Sequence, residues 1–305
     1  MNIDDEVVKA LNAAFLLVLL LLCVGLVIAM SSKTSAYARA DRFSVRVRLP
    51  YGTTTTRESV VRRGRVSSLT TAVTMLVMTV ALSPLLLAPV AVNPAFPIIV
   101  VIPVLVATGF ASAVVSVRER LFRPAPDAPR VARARALGAV DYLDRFRLVL
   151  PWTLAVAAVL AFTMLALQWV RQPSRVDDAY AAAAVFALVL TAVVLVALPP
   201  VERLVLAQPQ PATDTLELAW DDAFRTTTLS ALRLSAALPA WLACALALAA
   251  LWLGADGLFS TFASQVPTWG VIALTFLYPS TGRRLRAGLY PEWLRRPVAA
   301  EGTAA

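Results

Sequence analysis

Asp177 and Asp178 stand side by side just ahead of an apolar stretch. Adjacent carboxylates in that position could hold a metal or serve transfer from a lipid-linked sugar. Neighbours in sequence point apart on a helix, however, and helix starts favour acidic caps. Capping is the expected role. Glu202, Glu217, Asp221 and Asp222 form a second acidic group in basic surroundings. They are expected to pair with Arg203 and Arg225. The alternative makes Glu217, Asp221 and Asp222 a docking point for a basic protein partner. A third candidate is Thr53, Thr54, Thr55 and Thr56, which lead into Arg57, Arg62, Arg63 and Arg65. They mark a turn and helix start. The sharper alternative is phosphorylation, which would weaken any attraction of the arginines to anionic headgroups.

Other chemistry is excluded by residue type. The chain has no histidine, which removes a Ser–His protease. Its lysines are Lys9 and Lys33 alone, so there is neither a Schiff-base lysine in the last apolar run nor a P-loop. Cys23 and Cys244 are far apart and lie in apolar runs, which gives no recognisable zinc site or disulfide framework. The apolar runs hold no ionisable group away from their ends, against a carboxylate ion relay or an intramembrane aspartyl pair. No cofactor is expected, and no enzyme.

Neutral polar groups remain. Thr70, Thr71, Thr74, Thr79, Thr108, Ser112, Ser116 and Gln168 fall within the apolar runs. Ser and Thr there usually bond backbone carbonyls or neighbouring helices. A path for a neutral solute is the alternative. Pro84, Pro89, Pro103 and Pro239 would kink their helices, which membrane spans tolerate.

The elements that position these groups follow from composition. The chain is 59% hydrophobic and only 15% charged, far from the soluble average. The expected fold is all-α, a single integral membrane bundle of about seven spans: one helix and then three hairpins. The spans are read at about 10–30, 69–92, 98–117, 148–170, 179–198, 234–253 and 258–278. Gln265 and Pro267 weaken the seventh, which is either spanning or re-entrant.

Arginine sets the threading. Loops 31–68, 118–147 and 199–233 and the tail 279–305 hold nearly all of the basic residues, whereas the other side has Lys9, Arg171 and Arg175. Basic residues in short loops resist translocation, so the N-terminus is expected outside and the C-terminus in the cytoplasm. The net charge of +9 therefore reports topology, and no nucleic acid is expected. Arg57, Arg62, Arg63, Arg65, Arg130, Arg133 and Arg145 are the expected contacts for anionic lipid, each worth roughly 1 kcal/mol near such a surface. The acidic start MNIDDE argues against a signal peptide despite Ala38-Arg39-Ala40. Outer helix starts are chemically consistent: Asp4, Asp5 and Glu6, then Asn93-Pro94, Asp177-Asp178 and Asp256 precede spans one, three, five and seven.

After the first span, the sequence reads as one plan repeated three times: a proline-bearing linker, a cap, a juxtamembrane helix and a hairpin. The caps are read as Thr55-Thr56-Arg57-Glu58, Asp127, and Asp214 with Glu217. TTTTRESVVR echoes RTTTLSALR, and FRLVLPW echoes RLSAALPAW. The stretch 131–147 has helical periodicity suited to the headgroup plane or to packing on neighbours. FSVRVRLP alternates strictly and reads as an extended segment.

The compositional style, with WDDAFR at 220–225, is similar to multi-pass proteins of high-GC bacteria, so a bacterial plasma membrane is the expected location. The leading functional expectation is a non-enzymatic accessory or permease-like subunit, or a scaffold of a membrane complex. A cytoplasmic ATPase would then dock on the juxtamembrane helices. The alternatives are a stand-alone carrier of a neutral or lipophilic solute and, with least support, an enzyme acting on lipid-linked substrates.

Overall fold

Long apolar helices satisfy their own backbone hydrogen bonds, which is what allows a chain to lie in hydrocarbon. The computed structural model describes residues 3–122, 131, 137–252, 258–278 and 287–295. Among these the chain is helical, with no strand. Its α-helices are α1 (Ile3–Ser31), α2 (Lys33–Val47), α3 (Thr54–Leu82), α4 (Phe96–Arg118), α5 (Ala139–Tyr142), α6 (Arg145–Arg171), α7 (Asp178–Leu206), α8 (Thr215–Trp252), α9 (Leu258–Leu277) and α10 (Glu292–Arg295). Six helical stretches, built on α1, α3, α4, α6, α7 and α8, are long and apolar enough to cross a membrane. The expectation of a helical membrane bundle is met at that level.

Side-chain bonds show which helix ends lie together. At one end Asn12 donates to the carbonyls of Ala91 and Asn93, Asn93 donates to Ala179, and the Asp177 amide donates to the Ala250 carbonyl. At the other end Arg65 reaches Ser31, Arg63 reaches Val115, and Tyr278 reaches Arg147. This second end gathers most of the arginines and is called the basic end below. Helix α9 reaches it too, running on through Pro267, whose carbonyl accepts from Trp241 Nε1 at 3.2 Å.

Helix α8 is the axis. In its most apolar window 72% of residues are buried, against 11% in α1 and α3. It packs on α4, α6, α7 and α9. Trp220, Leu229, Leu232, Leu238 and Leu246 are fully buried along it. On α6, Val156, Leu160, Met164 and Leu167 recur at helical spacing and stay exposed, a face suited to lipid.

Four expectations are corrected. The basic stretch around residue 60 is not separate from the second span. One helix, α3, runs from Thr54 and ends at Leu82, earlier than expected, because Pro84 and Pro89 open short 3-10 turns. Likewise α8 carries the third juxtamembrane helix straight into its span. FSVRVRLP is not extended through its length: Phe43–Val47 is the end of α2, where Ala36, Ala40, Phe43 and Val47 share the inward face. That four-residue stripe outweighs the alternation, and Arg48 closes the helix in the left-handed region at φ 57°. The stretch 131–147, described only in part, is not one helix either, because Asp144 caps a new one: its carboxylate accepts from the Arg147 amide at 2.9 Å.

The caps shift as well. Thr53, not Thr55, caps α3, with its hydroxyl accepting from the Thr56 amide at 3.1 Å. Asp214 accepts from the Glu217 amide at 2.7 Å, as expected, but Glu217 turns to the Thr213 amide. Asp177 caps α7 through the Tyr180 amide at 3.0 Å. Asp127 and Asp256 lie outside the described residues.

Helices α4 and α8 touch at Gly109. A Cβ built there would lie 1.8 Å from Ser235 Oγ and 3.0 Å from the Ala231 carbonyl. Such close approach is how small residues join helices in membranes. Gly109→Val is therefore expected to destabilise the purified protein by about 1–3 kcal/mol. Gly25→Ala, where nothing lies within 4 Å, should leave stability nearly unchanged. Thermal melting in detergent checks both.

Candidate functional site

Three helices present short hydroxyl side chains to one another. They are Ser67, Ser68 and Thr71 on α3, Thr108 and Ser112 on α4, and Thr227, Thr228 and Ser235 on α8. Within each helix these recur at spacings that keep them on one face. Several bond back to their own helix: Thr108 to Leu105, Thr227 to Ala223, Thr228 to Phe224 and Ser235 to Ala231. Each of these four hydroxyls spends its one donor within its own helix. A cavity of about 660 Å³ remains. That volume lies within the range of pockets that enclose small molecules.

The cavity wall is graded. Leu26, Met75, Leu105, Leu234 and Leu238 supply apolar surface. Arg39, Arg42, Arg46 and Arg63 supply charge toward the basic end, and among the described residues no Asp or Glu lines the space. Three of these arginines come from α2, the helix that alternation had hidden. Ser112 keeps a buried hydroxyl with no hydrogen-bond partner among the described residues.

Aromatic packing holds α2 in place. Tyr51 stacks on Trp220 with centroids 5.4 Å apart, and Phe43 tilts against Trp220 and Phe224. Trp220 Nε1 donates to the Pro50 carbonyl at 3.0 Å. Tyr51 also donates to Asp41, which accepts from Arg57 at 2.9 Å. Burial, followed by the bond to Asp41, pushes the Tyr51 hydroxyl up to about 12. Burial, followed by the neighbouring Arg65, lowers the Arg39 guanidinium from its ordinary value.

The arginines expected to face lipid divide into several kinds. Arg62 and Arg145 are exposed. Arg57 is exposed but committed to Asp41 and set over the rings of Tyr37 and Tyr51. Arg65 donates to the Ser31 carbonyl at 2.7 Å. Arg63 is only 5% exposed and donates to the carbonyls of Val115 and Glu119. It serves the C-terminus of α4, so its expected headgroup contact is corrected. Arg130 and Arg133 lie outside the described residues.

The acidic docking candidates are engaged within the chain. Asp222 is fully buried and accepts from Tyr142 at 3.0 Å and from Gln210 at 2.8 Å. Burial and the adjacent Asp222 push the Tyr142 hydroxyl up. Asp221 accepts from Arg225 Nε at 2.9 Å, the pairing the sequence favours, and Glu217 accepts from Thr213. Of the four threonines, Thr53, Thr54 and Thr55 are exposed and Thr56 is buried. Among the neutral polar residues of the spans, Thr79 bonds the Met75 carbonyl, and Gln168 lies at the far end beside Gln172.

One buried ion pair escaped the sequence reading. Arg233 grips Glu202 through both carboxylate oxygens and donates to the Leu148 carbonyl at 2.8 Å. Both side chains are about nine-tenths buried. Arg203, one of the two arginines expected to pair with the acidic group, is exposed at the surface. The matching signal was the placement of Glu202 and Arg233 at facing ends of two adjacent spans. Among the described residues no cluster of three or more His, Cys, Asp or Glu is placed to hold a metal ion.

No family model matches the chain, and no curated protein or solved structure matches it.

The ion pair makes a test of the basic end. Glu202→Gln leaves Arg233 buried without a counter-charge and is expected to cost about 3–5 kcal/mol. Replacing both residues, as Glu202→Leu with Arg233→Met, should recover most of that loss. Denaturation of the three purified proteins in the same detergent checks the order.

Proposed function

We propose that the protein is a membrane-embedded carrier of a lipophilic or amphiphilic solute, which it binds in the cavity between α2, α3, α4 and α8. In this reading the chain has seven spans, α9 being the seventh, with its N-terminus outside and its basic end in the cytoplasm of a bacterial plasma membrane. The excess of Lys and Arg at that end supports the orientation. The observation that carries the function is the cavity itself: about 660 Å³, walled by apolar and hydroxyl side chains. Helical bundles commonly place ligand sites between their helices.

The subunit or scaffold reading draws on less. It needs a docking face on residues 131–147 and 215–233. Leu216, Leu218, Trp220 and Asp222 in the second of these stretches are buried inside the bundle. The enzyme reading draws on less again, since Asp177 is occupied in capping α7.

Gentle purification from native membranes, followed by extraction and mass spectrometry, tests the carrier reading. Near-stoichiometric retention of one lipophilic compound is expected. Thr71→Phe, which fills the cavity, should reduce that retention by about tenfold, while Thr153→Phe on the exposed face of α6 should not. A cavity variant that retains as much as the native chain overturns the reading.

A further inference from the structure

Helices α4 and α8 run in opposite directions along the cavity wall. Where they touch, Gly109 faces Ser235 and the Ala231 carbonyl. Ser112 lies about 4.5 Å along α4 from that contact toward the basic end, and Thr228 lies about the same distance along α8 from Ala231. Thr108 and Ser235 stay beside the contact, with Leu105 and Leu238 farther from the basic end. The two helices thus set a ledge of hydroxyls partway along the space, backed by apolar wall.

The ledge has its own pattern of donors and acceptors. Thr108, Thr227, Thr228 and Ser235 each donate to a carbonyl of their own helix. A hydroxyl has one donor and two lone pairs, so these four offer a guest only acceptors. Ser112 is the opposite case. Its buried Oγ has no hydrogen-bond partner among the described residues. Leaving a buried hydroxyl unpaired costs free energy that an oxygen of the guest would recover. At the mouth, Arg39 donates to Ser35 and to the Met30 carbonyl. Arg63 is held by the carbonyls of Val115 and Glu119, and Arg46 is engaged as well. Their charge still disfavours a cation.

We propose that the cavity takes a neutral amphiphile whose head carries hydroxyl groups, seated on the α4–α8 ledge with its chain along Leu105 and Leu238. The proposal rests on the carrier reading and names its substrate class. A hydroxyl donates and accepts, so it answers both the four spent hydroxyls and Ser112. An ester or a carboxylate only accepts, and it sets lone pair against lone pair at the spent hydroxyls. An ammonium only donates, and it leaves Ser112 unpaired. A volume of about 660 Å³ suits one such molecule.

The test uses the full chain in a neutral detergent, with binding read by native mass spectrometry and by competition. The probes are monooleoylglycerol, methyl oleate, oleate and glycerol. The first two share a chain and an ester and differ in the head hydroxyls. Monooleoylglycerol should bind at least about tenfold tighter than methyl oleate, because a site that pairs with hydroxyls rejects the analogue that lacks them. Ser112→Ala with Thr227→Val removes a free donor and an acceptor at little change in volume. It should shrink the preference to less than about threefold and leave methyl oleate binding unchanged, which also reports that the cavity has formed. Thr153→Val, on the exposed face of α6, should keep the full preference.

Equal binding of monooleoylglycerol and methyl oleate, lost together in Thr71→Phe, would overturn the substrate class and leave the carrier reading standing. Oleate that binds tighter than monooleoylglycerol would overturn it in favour of an anion. Glycerol that displaces monooleoylglycerol at matched concentration would overturn the amphiphile in favour of a small polyol. If no probe binds, the substrate class fails. The carrier reading fails with it only if Thr71→Phe also retains as much native lipophilic compound as the unaltered chain.

Discussion

Helices that stop at the basic end leave carbonyl groups with no partner in their own helix, and arginines from neighbouring helices meet them. Arg65 of α3 meets Ser31 at the end of α1. Arg63 of α3 meets Val115 and Glu119 at the end of α4. Arg225 of α8 meets Leu206 and Gln208 at the end of α7. Each bond answers both the unpaired carbonyls and the negative end of a helix dipole. The arginines that look from the sequence like topology signals thus also tie three descending helices to their neighbours. The Glu202–Arg233 pair adds a link from α7 to α8, and Arg233 reaches on to α6 at Leu148.

This arrangement decides where the bundle can be loose. Helices α6 and α7 pack closely on α8, where small residues such as Ala184, Ala187, Ala243 and Ala247 are buried. The opposite flank of α8 faces α3 and α2 across the hydroxyls of Thr227, Thr228 and Ser235, which bond back to α8 itself. At Gly109 α4 comes tight against it. The cavity is the consequence, roofed by α2, whose place depends on Tyr51 and Phe43 packing on Trp220. A tether between two ends of the sequence completes this region, since Tyr290 donates to the Val47 carbonyl at 2.6 Å.

Length and hydropathy made the helical membrane class legible, because twenty or so apolar residues leave few other folds. The caps at Asp177 and Asp214 were legible for a local reason: each acts within three residues of itself. What remained hidden was long-range. The strict alternation of FSVRVRLP concealed a helix whose inward stripe, Ala36 to Val47, begins earlier in the chain. The hydroxyls of α3, α4 and α8 were each visible, and Thr71, Thr108 and Ser112 were singled out. Only the packing reveals that they share one space with Thr227, Thr228 and Ser235. Arg63 read as a surface charge because its neighbours in sequence are charged, whereas its partners lie on α4.

The central claim is a water-accessible cavity reached from the basic end. Thiol labelling in membrane vesicles addresses it most directly. In a background with Cys23→Ala and Cys244→Ala, single cysteines would replace Thr227 on the cavity wall and Thr153 on the exposed face of α6. A water-soluble, membrane-impermeant reagent is applied to either face of the membrane. The account predicts that Thr227→Cys reacts from the face carrying the basic loops and that Thr153→Cys stays unreactive from both. A silent Thr227→Cys, or one that reacts only from the opposite face, would contradict it.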